Sequence, residues 1–152
     1  MKKEFESLYR KDQYHVRRWA VKYTDEEFAV INKNLQKRLE LLIKHKKEEL
    51  SGRECFIAAM IYHHGFTVAC AKKAVAYAKK AVNKGYLRGK WLVASATDRL
   101  CQLQGKAQKF GTQIIETKTG KVRMYKVDPK TTDEERKAYG LPSLQSLKDR
   151  LR

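Results

Sequence analysis

The sequence predicts a single, mainly α domain of about five main helices that carries a small C-terminal β-hairpin and a short terminal helix. Three observations lead there. Apolar residues recur at helical spacing from Lys3 to about Gln104. Ser/Thr-x-x-Glu signatures and glycines punctuate that stretch where helices should begin and end. After Gly105 the period shortens to β-prone runs.

The first helix is expected over about Lys3 to Tyr23, with Phe5, Leu8, Asp12, Val16, Trp19 and Tyr23 on one face. Thr24 and Glu27 read as a capping box that opens a second helix, whose Phe28, Ile31, Leu35, Leu39 and Leu42 face a core. Ser51 and Glu54 repeat the signature and start a third helix, on which Ile57, Met60 and Ile61 share a face with His64 before Gly65 ends it. The fourth runs from Phe66 to Lys84, its Ala71, Ala74, Val75, Ala78, Ala81 and Val82 opposite paired lysines, and stops at Gly85. A fifth spans about Arg88 to Gln104. Gln113 to Thr117 and Lys121 to Val127 then form a hairpin around Lys118, Thr119 and Gly120, which Asp128-Pro129 closes. Thr132 with Glu135 caps a short helix that Gly140 stops, and Pro142-Ser143 opens the last one.

A chain of 152 residues with 42% hydrophobic and 10% aromatic content is that of one folded globule with one core, residues 1–152. It lacks an apolar run long enough to span a bilayer and an apolar segment behind its basic start, so a cytoplasmic location and no membrane are expected. Cys55, Cys70 and Cys101 fall on apolar helical positions and form no metal or redox pair, so they are expected to be buried hydrophobes of a reducing compartment, with a nucleophilic cysteine as the alternative. The net charge of +17 comes from 34 basic and 17 acidic residues and is unevenly spread. Between Glu54 and Asp98 there is no carboxylate, while Lys72, Lys73, Lys79, Lys80, Lys84, Arg88 and Lys90 lie there. Such a surface attracts anions, nucleic acid among them.

Chemistry enters where apolar stripes carry polar groups. Asp12 interrupts the first helix's apolar face with Gln13 and Arg17 beside it, His64 ends the face of the third, and Asp98 and Arg99 sit on adjoining stripes of the fifth. A buried unpaired charge costs several kcal/mol, so these groups need partners, and the nearest candidates are one another. One polar pocket between helices is therefore expected. His64 is the candidate proton-transfer group, Asp12 or Asp98 its orienting carboxylate, and Arg17 and Arg99 the holders of an anion. Gln108 to Gln113, reading QKFGTQ, would cover the pocket: Gly111 permits close approach, Thr112 offers a hydroxyl, and Gln108 and Gln113 offer amides able to read a base edge. The segment has neither the spacing of a phosphate-binding P-loop nor that of a dinucleotide fingerprint. His15, His45, His63 and His64 have no metal-ligand spacing, so neither metal nor cofactor is expected.

These residues also carry a resemblance. The order DQ-x-x-x-R (Asp12, Gln13, Arg17), His64 at a helix end, TDR (Thr97, Asp98, Arg99), G-x-x-Q-x-F-G-T-Q (Gly105, Gln108, Phe110, Gly111, Thr112, Gln113) and the tail DEERKAYGLPSL from Asp133 to Leu144 resembles a bacterial family of unknown function named for its Gly-Thr-Gln motif. The likeness covers nearly the whole chain and is most specific from Asp98 to Gln113 and in the tail. Phe110 stands where the family usually has tyrosine, and His63 where it has glutamine. The resemblance brings no assigned reaction; it implies that Asp12, Gln13, Arg17, His64, Asp98, Arg99, Gln108 and Gln113 belong together.

The functional expectation is a small metal-independent enzyme of hydrolase or transferase type, acting on a compact anionic ligand such as a nucleotide or phosphate ester. Two other readings compete with it. One is a nucleic-acid-binding module that uses the Lys72 to Lys90 surface. The other is an interaction protein in which the polar residues only fix one helix packing.

Overall fold

The computed structural model describes residues 1–151. Among them are eight helices and one two-stranded antiparallel sheet: α1 (Lys2–Val16), α2 (Trp19–Lys22), α3 (Asp25–His45), α4 (Gly52–His63), α5 (Val68–Asn83), α6 (Gly89–Leu103), β1 (Ile114–Glu116), β2 (Val122–Met124), α7 (Asp133–Ala138) and α8 (Leu144–Asp149). The predicted mainly α class with a small C-terminal hairpin is the fold observed. No helix of the described residues is long and apolar enough to cross a membrane.

α4 is the centre of the bundle. Nearly every residue from Gly52 to Tyr62 is buried, with α1, α3, α5 and α6 packed around it. A helix surrounded in this way loses its polar face, which is why its sequence, CFIAAMIY, is apolar all round. α5 packs on both α4 and α6 through Ala71, Ala74, Ala78 and Ala81, all buried. Side chains this small bring helix backbones close together. A Cβ placed on Gly89 of α6 would lie 3.2 Å from the Ala78 carbonyl oxygen.

All three predicted capping boxes form. Thr24, Ser51 and Thr132 each accept from the backbone N–H of the glutamate three residues on, and that glutamate's carboxylate returns a bond to the cap's own N–H. The fourth helix starts two residues later than expected, because the Thr67 hydroxyl accepts from Cys70 N–H and caps it there.

The first helix departs from expectation. It ends at Val16 instead of reaching Tyr23, and the chain turns at Arg17 and Arg18 before the short α2. The turn lays the Trp19 ring flat on Phe28, with centroids 4.2 Å apart and planes 5° from parallel, and lets its indole N–H donate to Asp25. Aromatic packing on α3 thus outweighs continuation of the first stripe. Phe5, Leu8 and Asp12 remain on the buried face of α1.

Two contacts fix α1 on α4. Arg53 forks onto both oxygens of Glu6 at 2.9 and 3.0 Å, and Asp12 meets His64 six residues further along α1. Beyond α6, the hairpin pairs Ile114 with Met124 and Glu116 with Val122, a shorter ladder than the sequence predicts. Gln108 extends the connection, donating its backbone N–H to the Lys126 carbonyl and accepting from Asp128 N–H.

Candidate functional site

Asp12 is buried on α1, and His64 is the C-cap of α4, so two helix positions chosen by packing bring a carboxylate against an imidazole. Both Asp12 oxygens lie 3.0 Å from His64 Nδ1. The carboxylate side chain is 0% exposed and the imidazole 14%. A carboxylate only accepts, so this contact holds a proton on Nδ1 and leaves Nε2 as the nitrogen that can exchange a proton with a ligand. Gln13 Nε2 donates to Asp12 Oδ2 at 3.1 Å and steadies the carboxylate from the other side.

Asp98 does not share in this pair. Its carboxylate, fully buried on α6, is spent on the QKFGTQ loop. Oδ1 accepts from the backbone N–H groups of Lys109 (2.7 Å) and Phe110 (2.8 Å), and Oδ2 from the Thr112 N–H (2.9 Å) and hydroxyl (2.8 Å). Four donors satisfy a carboxylate with no cation present. The expectation that Asp98 orients the histidine or an arginine is corrected accordingly: it shapes the loop.

Gln108 is corrected in the same way. Its amide donates to the carbonyls of Gln113 and Tyr125 and accepts from Gln113 N–H, and the residue is 0% exposed, so no amide edge remains to read a base. Phe110 is also buried, edge-on to Tyr139 at 4.9 Å, and is not available to stack on a ligand. Gly111 takes φ +94°, a left-handed conformation that suits glycine, and permits the turn that presents three N–H groups to Asp98.

Gln113 connects the loop to the histidines. Its Nε2 donates to Thr112 Oγ1 at 3.1 Å and to Ser95, with Oγ at 3.3 Å and the carbonyl at 3.4 Å. Ser95 Oγ lies 3.3 Å from His63 Nε2. An amide NH2 only donates, so Ser95 Oγ accepts from Gln113, while the direction of its contact with His63 Nε2 is set by the His63 tautomer. His63 Nδ1 is buried without a partner among the described residues. His63 and His64 have ring centroids 5.5 Å apart, so the loop network and the Asp12–His64 pair adjoin.

Ser95 and His63 have the residue types of a nucleophile and its base, but not the environment. Ser95 is 3% exposed. Burial, reinforced by the charges of His64 and Arg99, pushes His63 down to about 3, so it cannot accept a proton near neutral pH. A stability consequence follows. The unfolded histidine, with its ordinary value of 6.5, binds a proton that the folded one refuses, so folding stability is full above that pH and declines as pH falls toward 3. Urea unfolding between pH 7 and pH 5 should show a loss of up to about 1.4 kcal/mol per pH unit below pH 6. A His63→Gln variant should flatten that slope; an unchanged slope would show that His63 is not buried neutral.

Arg99 lies one turn beyond Ser95 on α6. It is half-buried, its guanidinium 5.9 Å from the centre of the Phe66 ring, with one hydrogen bond to Gln102 Oε1 at 3.4 Å. Burial draws its pKa below the ordinary value, opposed by the charge of Asp25. Among the described residues no carboxylate lies within ion-pair distance of it. A partly desolvated guanidinium with no counterion among the described residues, close enough for its charge to act on His63, favours an anion. Arg17 caps the end of α1, one turn past Gln13, and is exposed.

The seven basic residues of the 72–90 stretch are all exposed, but not all unpaired. Lys73 bonds Glu40 at 3.1 Å, Lys84 bonds Glu49 at 2.9 Å, and Lys80 lies 5.5 Å over the Tyr77 ring. Carboxylates from α3 and the α3–α4 connection therefore offset part of a surface whose own sequence has none.

Sequence reasoning missed three members of the site region. His63 and Ser95 belong to the polar network, and Arg136 of α7 is 2% exposed, donating from Nε to the Phe110 carbonyl and from Nη1 to the Thr131 carbonyl and Asp133. Ser95 was discoverable: it lies three and four residues before Asp98 and Arg99, on the helix surface those two share. Among the described residues, no three His, Cys, Asp or Glu side chains converge as a metal site. No family model, no curated protein and no solved structure matches this chain.

Proposed function

We infer that the protein is a small enzyme that performs acid–base chemistry, of hydrolase or transferase type, on a compact anionic substrate such as a nucleotide or phosphate ester. The observation that carries this reading is the His64–Asp12 contact: a buried carboxylate fixes one nitrogen of a histidine whose side chain still reaches solvent. A purely structural histidine has no need of an outward edge. In this reading His64 Nε2 gives or takes the proton, Asp12 orients the ring, and Arg99, with Arg17 at the mouth, holds the anion. Asp98, Gln108, Gly111, Thr112 and Gln113 build the loop wall. The motif residues of the Gly-Thr-Gln family would then be of two kinds, those that face the substrate and those that hold the loop beside it.

The test is a turnover screen of the purified protein against nucleotides, phosphate monoesters and small carboxylated metabolites. With the substrate it identifies, Arg99→Gln should raise KM by about 10- to 100-fold, the loss of one charged hydrogen-bonding group. Its melting temperature should change little, since Arg99 has no ion pair to lose. No turnover of any class, or an unchanged KM in Arg99→Gln, would reject the reading.

A further inference from the structure

The QKFGTQ loop has a second role available on another face. Gly111 and Thr112 contribute to a groove of about 350 Å³, lined also by Trp91, Ile114, Met124, Leu141, Leu147 and Arg150. That volume falls in the lower part of the range for small-molecule sites.

The character of the walls limits the occupant. Apart from Arg150, Thr112 is the only polar side chain on them among the described residues, and its hydroxyl is already donated to Asp98. A sugar or other hydroxyl-rich ligand would lose water there and find no side-chain partner in return. Trp91 and Ile114 are 44% and 50% exposed, large apolar side chains left uncovered at the groove. Arg150 caps α8, is exposed, and has no side-chain hydrogen bond or ion pair among the described residues. Among the described residues no carboxylate lines the groove, so the charge they give it is of one sign and at one end.

The groove is also rigid. Asp98 holds the loop by four hydrogen bonds and Arg136 holds the Phe110 carbonyl. A Cβ on Gly111 would stand 3.2 Å from Leu144 Cδ1 and 3.4 Å from Met124 Sδ, so the loop passes α8 and β2 at a distance that only glycine fits comfortably. A preformed site loses little on binding.

We propose that this groove binds a soluble single-chain organic anion, its apolar chain lying against Trp91, Ile114 and Leu147 and its carboxylate or equivalent head group on Arg150. The proposal does not depend on the His64 chemistry, since it invokes neither the histidine pair nor Arg99. Arginine matches a carboxylate with two parallel N–H bonds, which selects the anion over an alcohol of the same length.

Decanoate, kept below its aggregation concentration, is the probe. The chain has two tryptophans, so Trp19→Phe leaves Trp91 as the only indole reporter, and calorimetry on the unaltered chain repeats the measurement without a substitution. The expected result is a saturable change in Trp91 emission and a matching heat, with decanol binding about tenfold more weakly. Arg150→Gln should weaken decanoate about tenfold and leave decanol unchanged. No saturable response in either measurement, equal affinity for decanoate and decanol, or an unaffected Arg150→Gln variant would overturn the proposal. So would a ligand-free dimer that shields Trp91, detected by sedimentation and quenching, because the groove would then belong to a second copy of the chain.

Discussion

Asp98→Asn is expected to destabilise the protein by about 3–5 kcal/mol, the range for leaving buried partners of a charge unsatisfied. The substitution conserves shape and nearly conserves volume, so packing is not the cause. Asp98 receives four donors, two on each oxygen, and three of them are backbone N–H groups that cannot reverse their polarity. An asparagine must turn its NH2 toward one pair. If it faces Lys109 and Phe110, three N–H donors meet with no acceptor; if it faces Thr112, the hydroxyl can rotate to accept but the Thr112 N–H is orphaned. Either way, charge-assisted bonds are lost in a site 0% exposed. Thr112→Val, which removes one donor of the four, should cost only about 1–2 kcal/mol. Urea unfolding of the two variants measures both. A loss below about 1 kcal/mol for Asp98→Asn would mean that the loop rearranges freely and that the clamp is not what shapes it.

The same residue shows how far a sequence can be read. Asp98 on an apolar stripe announced that a partner had to exist, and the structure supplies one. The identity of the partner was not visible, because three of its four donors are backbone N–H groups. Main-chain donors leave no mark in a residue pattern. Gln108 repeats the case: glutamine beside glycine suggested ligand recognition, yet its amide serves the carbonyls of Gln113 and Tyr125. The partner of His64, by contrast, was legible as one of two carboxylates, Asp12 or Asp98, and the structure selects Asp12. Asp12 and His64 both interrupt apolar faces, both must be paired when buried, and side chains do the pairing.

Local signals carried most of the fold for a related reason. Capping boxes and left-handed glycines act within four residues, so Thr24, Ser51, Thr132, Gly85 and Gly105 mark boundaries that the structure keeps. The end of α1 is set from further away. Nothing between Val16 and Tyr23 forbids a helix; Phe28 and Asp25, on the next one, attract Trp19 out of line. Arg136 was hidden by its neighbours. In the run DEERK it looks like part of a solvated helix face, and only the loop packed above it, with the Phe110 carbonyl at 2.9 Å, makes it internal.

His64→Ala and Asp12→Asn should each lower kcat on the substrate of the turnover screen by about 10²- to 10⁴-fold, the contribution expected of a positioned proton-transfer group. The two act differently. Alanine removes the imidazole. Asparagine keeps the side chain at position 12 but can present its NH2 to Nδ1, which moves the ring proton to Nε2, the nitrogen required for exchange. In the proposed mechanism Asp12 acts on substrate only through His64, so its replacement should leave KM near the wild-type value, whereas Arg99→Gln should raise KM. Because one residue acts through the other, the double variant should be no slower than His64→Ala alone. Independent losses that multiply would separate the two residues mechanistically. Full activity of a folded His64→Ala protein would return the buried pair to a purely structural role, that of holding α1 on the end of α4.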